Sequence, residues 1–459
     1  VSWARRCASE TALPAARAGG APSTDSRGDS FDSGRVLFNS LSWERSWKGL
    51  QLPSCGYVTL RAGAGDVRPQ DGVQVESSDA AEGEKIVLAN AFYRAEIDRI
   101  GCIIILTDSG SGYEYAKEPL NDWKLYRDVN VDYDAWELGR MYEQAAEELS
   151  GGRISRTVRE PDGSLIVTVE RRERYFTARQ RIILTMDSPR IDFETEIDWR
   201  ERHRILKVDF PTTVYTKEVL EEIQFGYIKR PTHKSRRYEQ DLYETCHHKY
   251  AVLTDGENGF AVLNDCKYGL SAEDSRLSLT LLRAPVLPDM TADMGTHRFT
   301  YSILPFSGPF AASRVTEEAY ELNVEVTESG GGNDRVCVES IDSGDIVCGE
   351  RGCFAPEAVE RSFSFFALEG GHAVLETCKP AFDRENGVVL RLYESKGCAG
   401  VTTLKLNEAL DVKHACICNM LEEPEQELEI RDGRIQMNFR AFEIKTILLY
   451  IAAGGGMRG

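Results

Sequence analysis

From Val36 onward the chain is dominated by a two-residue alternation of apolar and polar positions. The clearest instance is IDFETEIDW, with Ile191, Phe193, Thr195, Ile197 and Trp199 on one side and Asp192, Glu194, Glu196 and Asp198 on the other. Successive side chains of an extended strand point to opposite faces, so this spacing predicts a strand with one buried and one wet face. A helix would scatter both sets around its surface. The pattern recurs in SLIVTVE (Ser164 to Glu170), RIILTM, RILKVDF, RLSLTLL, VVLRLYE and IQMNF. Turn signals separate these runs at Asp162-Gly163, Asp255-Gly256, Glu385-Asn386-Gly387 and Asp432-Gly433. Helical spacing is scarce, with EPLNDWKLYRDV and TEEAYELNVEV as short candidates. Many strands with regular turns predict an all-β chain built of more than one sandwich.

The stretch ETCHHKYAVLTDGENGFAVLNDCKYG, Glu244 to Gly269, admits two readings. Cys246, His247, His248, Asp265 and Cys266 are residue types that ligate metals. Against that, YAVLT and FAVLND flank a glycine-containing loop, which is the pattern of a β-hairpin. His247 and His248 are adjacent on a strand and so face opposite ways. The hairpin is the stronger reading.

Pro305 to Pro309 (PFSGP) and the glycine run Gly330 to Gly332 interrupt the strand pattern and suggest domain breaks. Residues 1–34 and the tail AAGGGMRG have compositions without an apolar period, and residues 1–34 read as a flexible leader or remnant. A length of 459 residues accommodates roughly two to four domains of about 150 residues. The net charge of −19 opposes binding to nucleic acid or to an anionic membrane surface, and leaves a neutral ligand such as a sugar open. The longest apolar run, CIIIL from Cys102 to Leu106, is strand-sized and far short of the roughly 20 residues that span a bilayer. The twelve cysteines lack zinc-finger spacing, and no apolar segment near Val1 resembles a secretory signal, so free thiols in the cytoplasm are expected.

Several segments in a fixed order carry a resemblance. They are SLSWERS (Ser40 to Ser46), LANAFYRAEIDRIGCIIILTDSGSGYEY (Leu88 to Tyr115), YDAWEL (Tyr133 to Leu138), IDWRERHRILKVDFP (Ile197 to Pro211) and IQFGYIKRPTH (Ile223 to His233). The hairpin stretch follows, then LLRAPVLPDMTADMGTHRFTYSILP (Leu281 to Pro305) and AFEIKTILLY. This set resembles the C-terminal β portion of family 38 α-mannosidases of the cytosolic and vacuolar type, from Val36 to Tyr450. The resemblance implies a large antiparallel β-supersandwich, galactose-mutarotase-like, followed by smaller β-sandwich domains. The expected divisions are a leader over 1–34, a partial β linker domain over 35–66, the central supersandwich over 67–309 and a C-terminal sandwich region over 310–459. The linker is expected to be partial because the connection from Ser46 to Leu50 is shorter than the family's.

Family members are retaining glycosidases that remove terminal α-mannosyl residues with a pair of carboxyl groups. A divalent metal such as zinc grips the sugar hydroxyls. By resemblance, both belong to an N-terminal catalytic barrel and helical bundle, so this chain is expected to hold neither nucleophile nor metal. The implied partners are that barrel and a mannose-containing oligosaccharide. The β portion lends an aromatic and an arginine to the pocket rim. Asp134 and Trp136 are the first candidates, since a ring stacks on a sugar face and a carboxylate accepts hydroxyl hydrogen bonds. Arg283 is the second, for its fork of donors. Arg230 and His233, and Asp265 and Lys267, are further candidates at strand ends. For each, a purely architectural role stands as the alternative, with Trp136 as a core aromatic and Arg283 as an ion-pair partner. For the whole chain, the alternative is a stand-alone carbohydrate-binding or assembly β-sandwich module, the latter associating into a homo-oligomer.

Overall fold

The run IDFETEIDW forms the strand Ile191–Trp199, and its alternation is the alternation of burial. Phe193, Ile197 and Trp199 are fully enclosed, while the acidic residues between them are half-buried. A computed structural model describes residues 35–61, 66–67, 74–77, 85–130, 132–160, 162–186, 188–329, 353–354 and 356–452. Residues 1–34, the glycine run at 330–332 and the tail from 453 lie outside the described residues.

The chain divides into two compact units, one of residues 68–323 and one combining residues up to 67 with those from 324 onward. In the first unit, Ile191–Trp199 lies inside a nine-stranded antiparallel sheet that runs from Gly152–Arg159 at one edge to Gly226–Pro231 at the other. A six-stranded sheet carries, in order, Ala146–Glu148, Asp122–Arg127, Arg204–Pro211, Arg276–Arg283, Gly269–Glu273 and Thr245–Cys246. The two sheets share one core, in which Trp123, Val208, Phe210 and Leu279 of the smaller sheet join Ile182, Phe193, Trp199 and Tyr301 of the larger. Burial of this much apolar surface supplies the main driving force, at about 25 cal/mol per Å².

That core contains one closed polar network. The Tyr301 hydroxyl accepts from Trp123 Nε1 at 3.0 Å and from Gln180 Nε2 at 2.7 Å, and donates to Asn121 Oδ1 at 2.6 Å. Asn121 returns a bond to Gln180 Oε1 at 2.8 Å. Every polar atom of the tyrosine is satisfied, so the network fixes the register of the sheets without an orphaned group.

The hairpin reading of the Glu244 to Gly269 stretch corresponds to Tyr250–Thr254 paired with Asn258–Asn264, Tyr250 opposite Leu263 and Thr254 opposite Gly259. Both strands are apolar without a break because both faces are covered. Leu253 and Val262 face the inter-sheet core, and Val252, Ala261 and Leu263 pack beneath Val315 and Ala319. Those last two belong to the helix Val315–Asn323, which overlaps the candidate TEEAYELNVEV (Thr316 to Val326) from Thr316 to Asn323.

The other helix candidate, EPLNDWKLYRDV, is instead a strand, Asp122–Arg127. Trp123 and Leu125 both reach the core, and Trp123 lies opposite Val208 on Arg204–Pro211. The period-two placement of these two residues, together with pairing to a neighbour, overrides the local helical spacing. Pro305 lies within the strand Gly295–Ser307, opposite Phe260.

In the second unit, Val36–Asn39 is bracketed by Gly56–Leu60 and by Thr327–Ser329, so early and late segments share one sheet. A five-stranded and a three-stranded sheet then enclose Leu390, Leu392, Leu404, Ile435, Ile447 and Leu449. The described portion of the chain is all-β apart from short helical pieces.

Candidate functional site

The strands Asp122–Arg127, Arg204–Pro211 and Arg276–Arg283 are antiparallel neighbours, with Arg127 opposite Arg204 and Ile205 opposite Arg283. The loop after Arg127 and the loop after Arg283 therefore leave the same end of the six-stranded sheet. Arg283 joins them. Its Nε donates to Asp128 Oδ2 at 2.6 Å, Nη1 to the Ala135 carbonyl at 3.2 Å and Nη2 to the Asp134 carbonyl at 2.8 Å. Nη2 also reaches the Glu137 carbonyl. Only a planar fork of donors serves this many acceptors at once.

Asp134 closes the cluster from the opposite direction. Its Oδ2 accepts from the backbone amides of Val286 at 2.7 Å and Leu287 at 3.1 Å, while Oδ1 lies 3.5 Å from His203 Nδ1. Burial by itself would raise this carboxyl's pKa. The two amides, with help from His203 and Arg283, outweigh burial and hold it below the usual aspartate value. Within the loop, the amides of Trp136 and Glu137 donate to the Tyr133 carbonyl, closing a tight turn. Tyr133 takes a left-handed φ of 53° to make it, a conformation that a tyrosine seldom adopts. The turn holds Tyr133 and Trp136 out into solvent, 67% and 72% exposed.

Asp134, Trp136 and Arg283 thus come together, with the two charged groups turned inward onto the loop backbone and the indole turned outward. Arg230 and His233 belong to a different place, in and just after the edge strand Gly226–Pro231. Arg230 pairs with the buried Glu221 and reaches the Cys246 carbonyl at 3.3 Å. His233 is half-exposed, its Nδ1 3.2 Å from the Ser235 hydroxyl and 3.4 Å from Glu239. Asp265 and Lys267 follow the strand Asn258–Asn264. Asp265 Oδ2 accepts from the Thr300 amide at 2.9 Å, and Lys267 lays its ammonium over the Phe299 ring at 4.4 Å.

His247 is wholly buried, with Nδ1 donating to the Tyr268 carbonyl at 3.0 Å and Nε2 3.0 Å from the Asn264 amide. Burial drives its pKa down to about 4, so it is a neutral, internally bonded imidazole at ordinary pH. Among the described residues, no group of three or more His, Cys, Asp or Glu is placed to hold a metal ion.

A polar layer lies beside the loops, at positions outside the candidates named from the sequence. Lys207, buried on the outer face of the six-stranded sheet, donates to Glu244 Oε2 at 2.5 Å, Tyr142 Oη at 3.1 Å and Ser271 Oγ at 3.1 Å. The lone lysine in RILKVDF, on the opposite side of the alternation from Leu206, Val208 and Phe210, was the available signal. Tyr243 Oη adds a bond to the Leu138 carbonyl at 2.5 Å, so the segment before Glu244 is tied to the same loop.

Comparison with known proteins accounts for this architecture. Residues 88–291 match the model of the glycosyl hydrolases family 38 C-terminal domain, and residues 372–447 match that of the family 38 C-terminal beta sandwich domain. The chain belongs to glycosyl hydrolase family 38. What it holds is the family's C-terminal β part, and the candidate loops lie within the first matched domain. The family 38 chain is 30% identical to alpha-mannosidase 2C1 of Mus musculus over 92% of its own length and 40% of that protein's. It is 27% identical to an alpha-mannosidase of Saccharomyces cerevisiae over 82% of its length and 36% of that protein's. It therefore spans well under half of the curated relatives it matches. An alpha-mannosidase structure from Enterococcus faecalis V583 has the same fold, with a TM-score of 0.64 at 15% identity over 87% of this chain and 45% of that one. Among the described residues, no helix is long and apolar enough to cross a membrane.

Proposed function

We propose that the chain works as the non-catalytic C-terminal portion of an α-mannosidase that releases terminal α-mannosyl residues with retention of configuration. The observation that carries this reading is the ordered match to both family 38 C-terminal domains in a chain that spans 40% of an alpha-mannosidase relative. The nucleophile, the second carboxyl group and a divalent ion such as zinc then belong to a catalytic portion in the rest of the relatives' length. The enzyme acts on mannose-containing oligosaccharides in the cytoplasm. Within this reading, the outward-facing Trp136 forms part of the rim of the sugar pocket, with one ring face toward the apolar face of the sugar. Asp134 and Arg283 are positioning residues that hold it there.

The purified chain is expected to show no turnover of an aryl α-mannoside with zinc or cobalt present. The protein expressed with its upstream coding region is expected to be active. Robust hydrolysis by the 459-residue chain alone would overturn the assignment of the chemistry to another portion.

A further inference from the structure

We propose that Phe382, Met420 and Leu421 form a docking site for a protein segment that presents aliphatic side chains flanked by lysines or arginines. They lie in the unit that combines residues up to 67 with those from 324 onward, so the site is separate from the loops beside Arg283.

Two loops of the five-stranded sheet carry these side chains. Residues 381–386 join Ala373–Pro380 to Gly387–Glu394, and residues 419–423 join Val412–Cys418 to Pro424–Leu428. Among the described large apolar side chains of the whole chain, Phe382 at 87% and Leu421 at 80% are the two most exposed. Met420, beside Leu421, is more than half exposed as well. Single exposed apolar groups are ordinary on a protein, whereas a cluster marks an interaction surface.

Glu422 binds the two loops into one cluster. Its buried carboxylate accepts from the Phe382 amide at 2.8 Å and from the Lys379 ammonium, and its carbonyl accepts from Arg384 Nη1 at 3.0 Å. It takes a left-handed φ of 67° in doing so. Asn419 closes the second loop, with Oδ1 accepting from the amides of Leu421 at 2.9 Å and Glu423 at 3.1 Å. Phe382 and Leu421 therefore flank one anchored residue, and loops held this way lose little further freedom on binding.

Charge selects the occupant. The cations of these loops, Lys379 and Arg384, are turned onto Glu422, while Asp383, Glu385, Glu423 and Glu425 stand exposed beside the apolar groups. These carboxylates, with the net charge of −19, repel a second copy of the chain and an anionic membrane surface alike. Met420 and Leu421 offer a sugar hydroxyl nothing to bond. An amphipathic helix with a leucine-like stripe between lysines matches both the apolar centre and its acidic rim.

Fluorescence anisotropy on the 459-residue chain tests this with a labelled peptide of about 18 residues, leucine at helical spacing and lysine elsewhere. The counterpart peptide with glutamate for lysine is the control. The lysine peptide is expected to bind and the glutamate peptide to stay free. Phe382→Ser with Leu421→Ser is expected to weaken the lysine peptide at least about tenfold. Asp383→Asn, Glu385→Gln and Glu425→Gln together leave the apolar groups in place, and are expected to weaken it at least about threefold and to flatten its salt dependence. Met141→Ser with Met290→Ser, in the other unit, is expected to change the affinity by less than about twofold. All these positions are exposed, so thermal melts are expected to match the parent. Undiminished affinity in the Phe382 and Leu421 variant, equal binding of the glutamate peptide, or a loss confined to the Met141 and Met290 variant would overturn the proposal. So would a dimer in sedimentation that Phe382→Ser with Leu421→Ser dissociates, because the occupant would then be a second copy.

Discussion

Arg283 shows how one residue can organise a site without touching a ligand. Its guanidinium meets the fully buried Asp128 carboxylate and three loop carbonyls. A lysine keeps the charge and loses the fork, so Arg283→Lys leaves some of these acceptors without a donor. The expected loss is about 1–3 kcal/mol of stability by urea unfolding, together with faster thermolysin cleavage between residues 129 and 141. Unchanged stability and unchanged cleavage would show that the fork does not hold the loop. This clamp was only partly legible beforehand. Asp134 and Trp136 are candidates because a carboxylate and a ring suit a sugar, and Arg283 for its fork of donors, with a core aromatic and an ion-pair partner as the alternatives for Trp136 and Arg283. Nothing in a linear sequence places Arg283 on the carbonyl of a residue 149 positions earlier. Nor does it reveal that Asp134 binds two backbone amides, because the direction of a loop side chain is set by packing that the alternation does not encode.

At the scale of elements, the alternation served well wherever one face is wet and the other dry, as in Ile191–Trp199 and Arg434–Phe439. It served less well where a short segment holds apolar residues at both strand and helix spacing, which is how Asp122–Arg127 read as helical. The hairpin Tyr250–Thr254 with Asn258–Asn264 separates two kinds of glycine that looked alike in DGENG. Gly256, at φ 98°, is required by the turn, whose amides at Glu257 and Asn258 are held by Asp255 Oδ1. Gly259 is required by packing instead, because a Cβ there would lie 2.0 Å from the Phe306 ring of the neighbouring strand. Gly259→Ala is therefore expected to destabilise the protein by about 1–3 kcal/mol through overpacking. Thermal melts of Gly259→Ala and of Gly259→Ala with Phe306→Leu would check this. The second change should recover part of the loss, and a Gly259→Ala melt matching the parent would refute the steric account.

For the whole molecule, two features pull against each other. A net charge of −19 drives copies of the chain apart, while Trp136, Met141, Leu287 and Met290 present apolar surface that would draw copies together once the charge is screened. Raising the salt from 0.1 M to 1 M shortens the Debye length from about 10 Å to about 3 Å and strengthens apolar association relative to repulsion. The 459-residue chain is therefore expected to sediment faster at high salt, through reversible self-association. Joint substitution of Met141→Asp and Met290→Asp should suppress that increase. A second exposed group, Phe382, Met420 and Leu421 in the other unit, supplies the contrast. Phe382→Ser with Leu421→Ser should leave the salt response in place if the loops beside Arg283 govern it. If those serines abolish the response and the aspartates do not, the sticky face lies in the C-terminal sandwich. A chain whose sedimentation ignores salt altogether would mean that neither apolar group is large enough to overcome the charge.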